Sequence, residues 1–300
     1  MMNRYHALVA RLQVGETVLI DGGTGTECER RGIPQLENAW NGGGALSHPD
    51  VVRVIHKDYL EHGAELIISN TFATSLHALE AAGESDRFDD YNRVAVELAI
   101  EARDACTRPA ALVAGGISYW SWTGDHPPLS EIEASVGQQA AVMRDAGADL
   151  LMLEMMIDID RMLTTLAAAQ TSGLPVWVGI SCALNSEGVM ALWNGEPLVD
   201  ALAALAGTGV PLLSIMHTDV KYVEACLDIL QYHWDGMTGV YAHSGTSVDG
   251  KWVFHDTISP HDYTAYCQSW MKRDMHVVGG CCGIRPDHMK HLAGALHQHG

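Results

Sequence analysis

The stretch "VVGGCCGIRP", residues 277–286, sets Cys281 and Cys282 side by side after an apolar run, with Gly279, Gly280 and Gly283 around them. Adjacent thiols can close a vicinal disulfide, stay buried and inert, or share a metal ion. Regular strand geometry points neighbouring side chains to opposite faces. Flanking glycines free the backbone to turn both thiols the same way. A vicinal disulfide needs a strained ring and an oxidising setting, so metal ligation is the favoured reading. Tetrahedral zinc then needs a third protein ligand and, at a catalytic centre, keeps one position open. Cys182 and His217 are the available partners.

Other polar residues occupy the same kind of place. Asp21, Asn70, Glu154, Cys182, His217 and His243 each end or directly follow an apolar run. A single carboxylate at a strand end is often a structural group bonded to a loop. Eight metal-binding or polar candidates, counting Cys281 and Cys282, form a site if the fold brings those ends together.

Eight β-type runs recur: 17–21, 65–70, 111–116, 150–154, 176–181, 212–217, 239–244 and 276–280. Most are continuously apolar, as parallel strands buried on both faces require. Helical patterns separate them. "SHPDVVRVIHKDYLEHGAE" starts at a Ser/Pro signal and closes on Gly63, and "LSEIEASVGQQAAVMRDAGAD" closes on Gly147. Further helices are expected over 88–106, 158–172, 197–206, 219–232, 260–273 and 286–298. The alternation predicts a single (β/α)8 barrel domain spanning 1–300, whose chemistry sits at the C-terminal ends of the strands. A doubly wound sheet is the alternative, but "DGGTGTE" lacks the G-x-G-x-x-G spacing of that fold's nucleotide loop.

Composition narrows the function classes. With 47% hydrophobic residues the chain can bury a large core. Its formal charge of −19 argues against nucleic acid and anionic membrane surfaces as partners. No apolar run reaches the roughly 18 residues of a membrane span. The opening "MMNRYHALVARLQVGE" lacks the apolar core and cleavage site of a signal peptide. A cytoplasmic protein with free or metal-bound thiols is the expectation. His291, His297 and His299 read as the frayed end of the last helix. The oligomeric state is left open by the residues.

The chain resembles the zinc-dependent homocysteine S-methyltransferases, which include the betaine– and S-methylmethionine–homocysteine enzymes. The likeness is carried by "LIDGGTGTECERRG" (19–32), "HPDVVRVIHKDYLEHGAELIISNTF" (48–72), "AGADLLMLEMM" (146–156) and "VVGGCCGIRPDHMKHL" (277–292). It covers nearly the whole chain, and the Gly-Gly-Cys-Cys-Gly ending is its most specific part. The resemblance implies a (β/α)8 barrel and zinc held by the two adjacent cysteines and a third from a Gly-x-Asn-Cys segment. Here that segment reads "SIMHTDVKYV" (214–223), which makes His217 the expected third ligand and Cys182 the runner-up. A second departure is "YAHSG" (241–245), where His243 replaces the asparagine of the family's Tyr-x-Asn-x-Gly.

The resemblance also implies roles for the other residues. Asp21 and Glu154 would bind the ammonium of an amino-thiol acceptor, homocysteine, backbone groups and Thr24 or Thr71 would help to hold its carboxylate end, and Asn70 would also contact the acceptor. Trp40, Tyr119, Trp120 and Trp122, with His243, would face a small onium methyl donor through their π-faces. Zinc fits the chemistry, because a free alkyl thiol is only a few per cent ionised at pH 7 and the metal deprotonates it. With His217 the site is formally neutral, where three thiolates would give −1. A metal-dependent hydrolase barrel is the enzymatic rival, but "DGGTG" stands where such enzymes carry His-x-His. A diverged member acting as a metal or small-molecule binding protein is the non-enzymatic alternative.

Overall fold

The structure, a computed structural model, describes residues 3–248, 251–254 and 257–296. Eight parallel strands form its centre: β1 (Val18–Leu19), β2 (Leu66–Ile68), β3 (Leu112–Ile117), β4 (Leu150–Met156), β5 (Val176–Ile180), β6 (Leu212–Asp219), β7 (Met237–His243) and β8 (Val277–Gly280). Each pairs with its sequence neighbour from β2 to β8. Val18 and Leu19 of β1 pair with Val277 and Val278 of β8, and an Ile20–Leu66 bridge joins β1 to β2. The result is a nearly closed (β/α)8 barrel, as the alternation of runs predicts.

The strands are short, apolar and almost wholly buried, because helices cover their outer faces. Those helices include Pro49–Glu61, Phe88–Asp104, Leu129–Asp145, Ile159–Gln170, Leu198–Leu205, Val220–His233, Pro260–Met271 and Pro286–Leu296. Gly63 and Gly147, at φ 114° and 99°, take the backbone out of two of them and into the next strand, as their position in the sequence suggests. His297 and His299 lie outside the described residues. No helix among the described residues is long and apolar enough to cross a membrane.

Two features that the strand runs do not announce shape the upper rim. Residues Cys182–Leu184 and Met190–Leu192 pair antiparallel as a hairpin after β5. Register also shifts between Leu153 and Met156 in the β4–β5 pair, and between Met216 and Asp219 in the β6–β7 pair. Such bulges re-aim side chains at barrel rims. Met155 and His217, inside the two shifts, sit at φ 53° and 40°, a conformation that residues with a Cβ rarely adopt.

Candidate active site and metal centre

The rim of the barrel opens into a cavity of about 530 Å³ that contains most of the strand-end residues. Asp21 follows β1, Glu154 lies in β4, His217 in β6, and Cys281 and Cys282 follow β8. All five line the cavity. The bulge in β6 turns His217 inward. The glycines around the cysteines are needed too: Gly283 has φ 84°, and a Cβ there would collide with the Ser244 carbonyl.

One ligand atom each from His217, Cys281 and Cys282 lie within 4.8 Å of one another, the one such metal-competent group among the described residues. His217 Nδ1 is 3.4 Å from Cys281 Sγ, and Cys281 Sγ is 3.9 Å from Cys282 Sγ. Two sulfurs on tetrahedral zinc at its usual Zn–S distance stand about 3.8 Å apart. The donor set, two soft thiols and an imidazole with room on the cavity side, therefore fits that ion. The Cys281 thiol donates to Cys282, which lowers the Cys282 pKa and raises that of Cys281. The pair behaves as two sulfurs sharing one proton.

Cys182 does not join this group. It starts the hairpin, is 2% exposed, and its thiol interacts with Cys226 of the helix Val220–His233. The strand before it ends at Ile180, and Cys182 already belongs to the hairpin.

The two carboxyls are held apart from water. Asp21 Oδ2 accepts from the Ile68 amide at 2.8 Å, yet burial pushes its pKa well above the usual carboxylate range, and Glu154 adds to that. Burial likewise raises Glu154 to about 8, with Cys282 contributing further. Buried carboxyls that lack a cation are poised to ionise when one arrives.

The remaining candidates divide. Thr24 and Asn70 line the cavity, and Asn70 Nδ2 donates to the Asn41 carbonyl at 3.0 Å. Thr71 does not: it is fully buried, and its hydroxyl donates to the Gly116 carbonyl at 2.7 Å. Trp40, Trp120 and Trp122 are lining residues, whereas Tyr119 is buried and outside the lining. Its hydroxyl accepts from the Ile157 and Asp158 amides at 2.7 and 3.0 Å, which makes it an anchor for the loop after β4. His243 stacks on His217 and is not a lining residue.

Sequence reasoning missed several lining residues. Trp193, delivered by the hairpin, meets Trp120 at 5.9 Å and His217 at 5.5 Å between ring centroids. Phe72 bridges Trp40 and Trp122 by edge contacts at 6.5 and 5.9 Å. Phe254, Asn41, Met155 and Tyr241 complete the wall. Among the described residues no Lys or Arg lines the cavity, and its carboxyls are Asp21, Glu154 and Glu29. The arrangement can hold a soft metal, a primary ammonium and an aromatic-enclosed cation together.

Comparison with known proteins identifies the family and the fold. A family model described as homocysteine S-methyltransferase matches residues 18–296. The chain is similar to homocysteine S-methyltransferase 1 of Zea mays, 27% identical over 96% of this chain and 96% of the other. It is also similar to the selenocysteine Se-methyltransferase of Brassica oleracea var. italica, 26% identical over 91% and 87%. Among solved structures, the oxidized form of the homocysteine methyltransferase MmuM from Escherichia coli shares the fold. Its TM-score is 0.81 at 24% identity, over 98% of this chain and 100% of that one.

Proposed function

The chain belongs to the homocysteine S-methyltransferase family, and from that membership we propose that it moves a methyl group from a small onium donor to the thiol of homocysteine, giving methionine, with zinc held by His217, Cys281 and Cys282. The observation that carries the proposal is the convergence of those three ligands with Asp21 and Glu154 in one cavity. A cytoplasmic setting, which keeps thiols reduced, belongs to the same proposal.

When bound, zinc supplies the Lewis acidity that ionises the acceptor thiol at neutral pH. The protein's own residues do the rest. Asp21 and Glu154 bind the acceptor ammonium, an interaction that favours their charged forms. The aromatic wall orients the donor cation and keeps water from the reacting atoms. The acceptor sulfur forms the new S–CH3 bond as the donor's bond to that methyl breaks. The donor leaves with the bonding pair as a neutral sulfide or amine.

Two measurements test the proposal. The purified protein should hold near-stoichiometric zinc, lose most of it in Cys281→Ser and His217→Ala, and keep it in Cys182→Ser. Incubated with backbone-labelled homocysteine and unlabelled S-methylmethionine, the zinc-loaded protein should yield backbone-labelled methionine, read by mass spectrometry. A Cys281→Ser variant with undiminished zinc would remove the ligand assignment. A zinc-loaded protein that binds acceptor but transfers nothing from any onium donor would favour the binding-protein alternative.

A further inference from the structure

Tyr241 lies in β7, in register with Met216 of β6 and Gly279 of β8. It therefore sits one residue below His217 and two below Cys281, at the floor of the cavity that it helps to line. The residue is 1% exposed. Its hydroxyl has no hydrogen-bond partner among the described residues. Space for that hydroxyl is kept by Gly179 of β5, where a Cβ would collide with the phenol oxygen. Burial, and after it the nearby Glu154, Cys281 and Asp21, raise the phenol well above its usual pKa, so it stays protonated.

A buried hydroxyl without a partner destabilises the fold, so phenylalanine would be the better residue if packing alone mattered. The free protein leaves the phenol without a hydrogen-bond partner among the described residues, and no Lys or Arg among the described lining residues neutralises the Asp21 and Glu154 carboxyls. A primary ammonium brings three N–H donors, and two carboxylates take two of them. We infer that the Tyr241 oxygen accepts the third, making Tyr241 a binding and specificity residue for the acceptor's unsubstituted amine. This inference rests on the reading of Asp21 and Glu154 as the ammonium pocket.

The test compares two acceptors on the zinc-loaded protein by calorimetric titration. They are homocysteine and 4-mercaptobutanoate, the same thiol acid without the amine. Tyr241→Phe should weaken homocysteine roughly tenfold, leave 4-mercaptobutanoate unchanged, and keep or raise the melting temperature. Equal affinities for homocysteine in variant and parent, or equal losses for both ligands, would overturn the inference. Glu154→Gln is measured alongside. If Glu154→Gln discriminates between the ligands and Tyr241→Phe does not, the role of Tyr241 alone falls. If neither discriminates, the ammonium pocket itself is wrong.

Discussion

The imidazoles of His217 and His243 stack face to face, with centroids 4.6 Å apart and planes 25° from parallel. Two cationic rings cannot share that contact. Burial, and then the neighbouring His217, push the His243 pKa down to about 3, so His243 stays neutral at physiological pH. A neutral ring lying on His217 restricts its rotation and holds Nδ1 toward Cys281. His243→Ala should therefore weaken zinc by about tenfold, as loss of groups that orient a ligand generally does. Competition against a chelator measures it. Unchanged affinity would reduce the stack to space filling.

Glu154 gives a prediction in protons. With its pKa raised to about 8, roughly nine in ten copies are protonated at pH 7. An ammonium ligand binds the ionised form, so binding must release close to one proton from Glu154, and more where Asp21 ionises too. Norleucine, which carries the amine but no thiol, isolates this release from that of a metal-bound sulfur. Its affinity should rise up to about tenfold per pH unit below pH 8 and level off above it. Calorimetry in buffers of different ionisation enthalpy counts the protons. Glu154→Gln should abolish that share, and a pH-independent affinity would contradict the assignment.

The aromatic wall has a near side and a far side. Trp193 touches His217 and Trp120, whereas Trp122 is linked through Phe72 to Trp40. A methyl group moving to a thiol on the proposed His217–Cys281–Cys282 centre must lie near those ligands, so the near pair bears on its cation. Trp193→Leu should weaken a sulfonium donor several-fold, consistent with roughly 0.5–2 kcal/mol per cation–π contact, and its neutral sulfide isostere much less. Trp122→Leu should cost less. A titration in which both ligands weaken alike would make Trp193 a packing residue.

Tyr119 should behave in the opposite way. Tyr119→Phe leaves the Ile157 and Asp158 amides without their acceptor, a loss of about 1–3 kcal/mol in stability. Donor affinity should stay near the parent value. Denaturant unfolding with a parallel donor titration separates the two effects, and the reverse pattern would return Tyr119 to the donor site.

His56 predicts acid sensitivity outside the cavity lining. Its ring is fully buried in the helix Pro49–Glu61, neither ring nitrogen has a hydrogen-bond partner among the described residues, and burial lowers its pKa to about 4. In the unfolded chain the ring takes its proton near pH 6.5. The folded pKa lies below the unfolded one, so stability falls as pH drops from about 6.5 toward 4. The slope from this group approaches 1.4 kcal/mol per unit. His56→Leu should flatten that stretch of the stability–pH curve. An unchanged curve would assign acid lability to other groups.

Much of the barrel was legible because buried parallel strands are written as uninterrupted apolar runs, and the polar residue ending each run marks the rim. That logic locates Asp21, Glu154, His217, Cys281 and Cys282 at the cavity. It fails where a side chain's direction is set by something other than strand position. Thr71 and Tyr119 turn their hydroxyls onto backbone groups. Cys182 is carried off by a hairpin whose return strand supplies Trp193. Tyr241 was hidden differently. In a continuously apolar run, no alternation says which residues face the barrel axis, and an inward phenol reads like any core aromatic.

The absence of Lys and Arg from the described lining of the cavity bears on turnover. Such a wall attracts a sulfonium through its π-faces, but among the described residues has no lysine or arginine with which to retain an anion. Methyl transfer converts the sulfonium to a neutral sulfide, so the reaction itself cancels the attraction that captured the donor. Departure of the demethylated donor should then be fast, and that product a poor competitive inhibitor against its parent, weaker by about the several-fold that cation–π contacts contribute. Inhibition as strong as donor binding would show that the donor's charge does not govern its hold. The same chemistry that consumes the substrate thus clears the site for the next one.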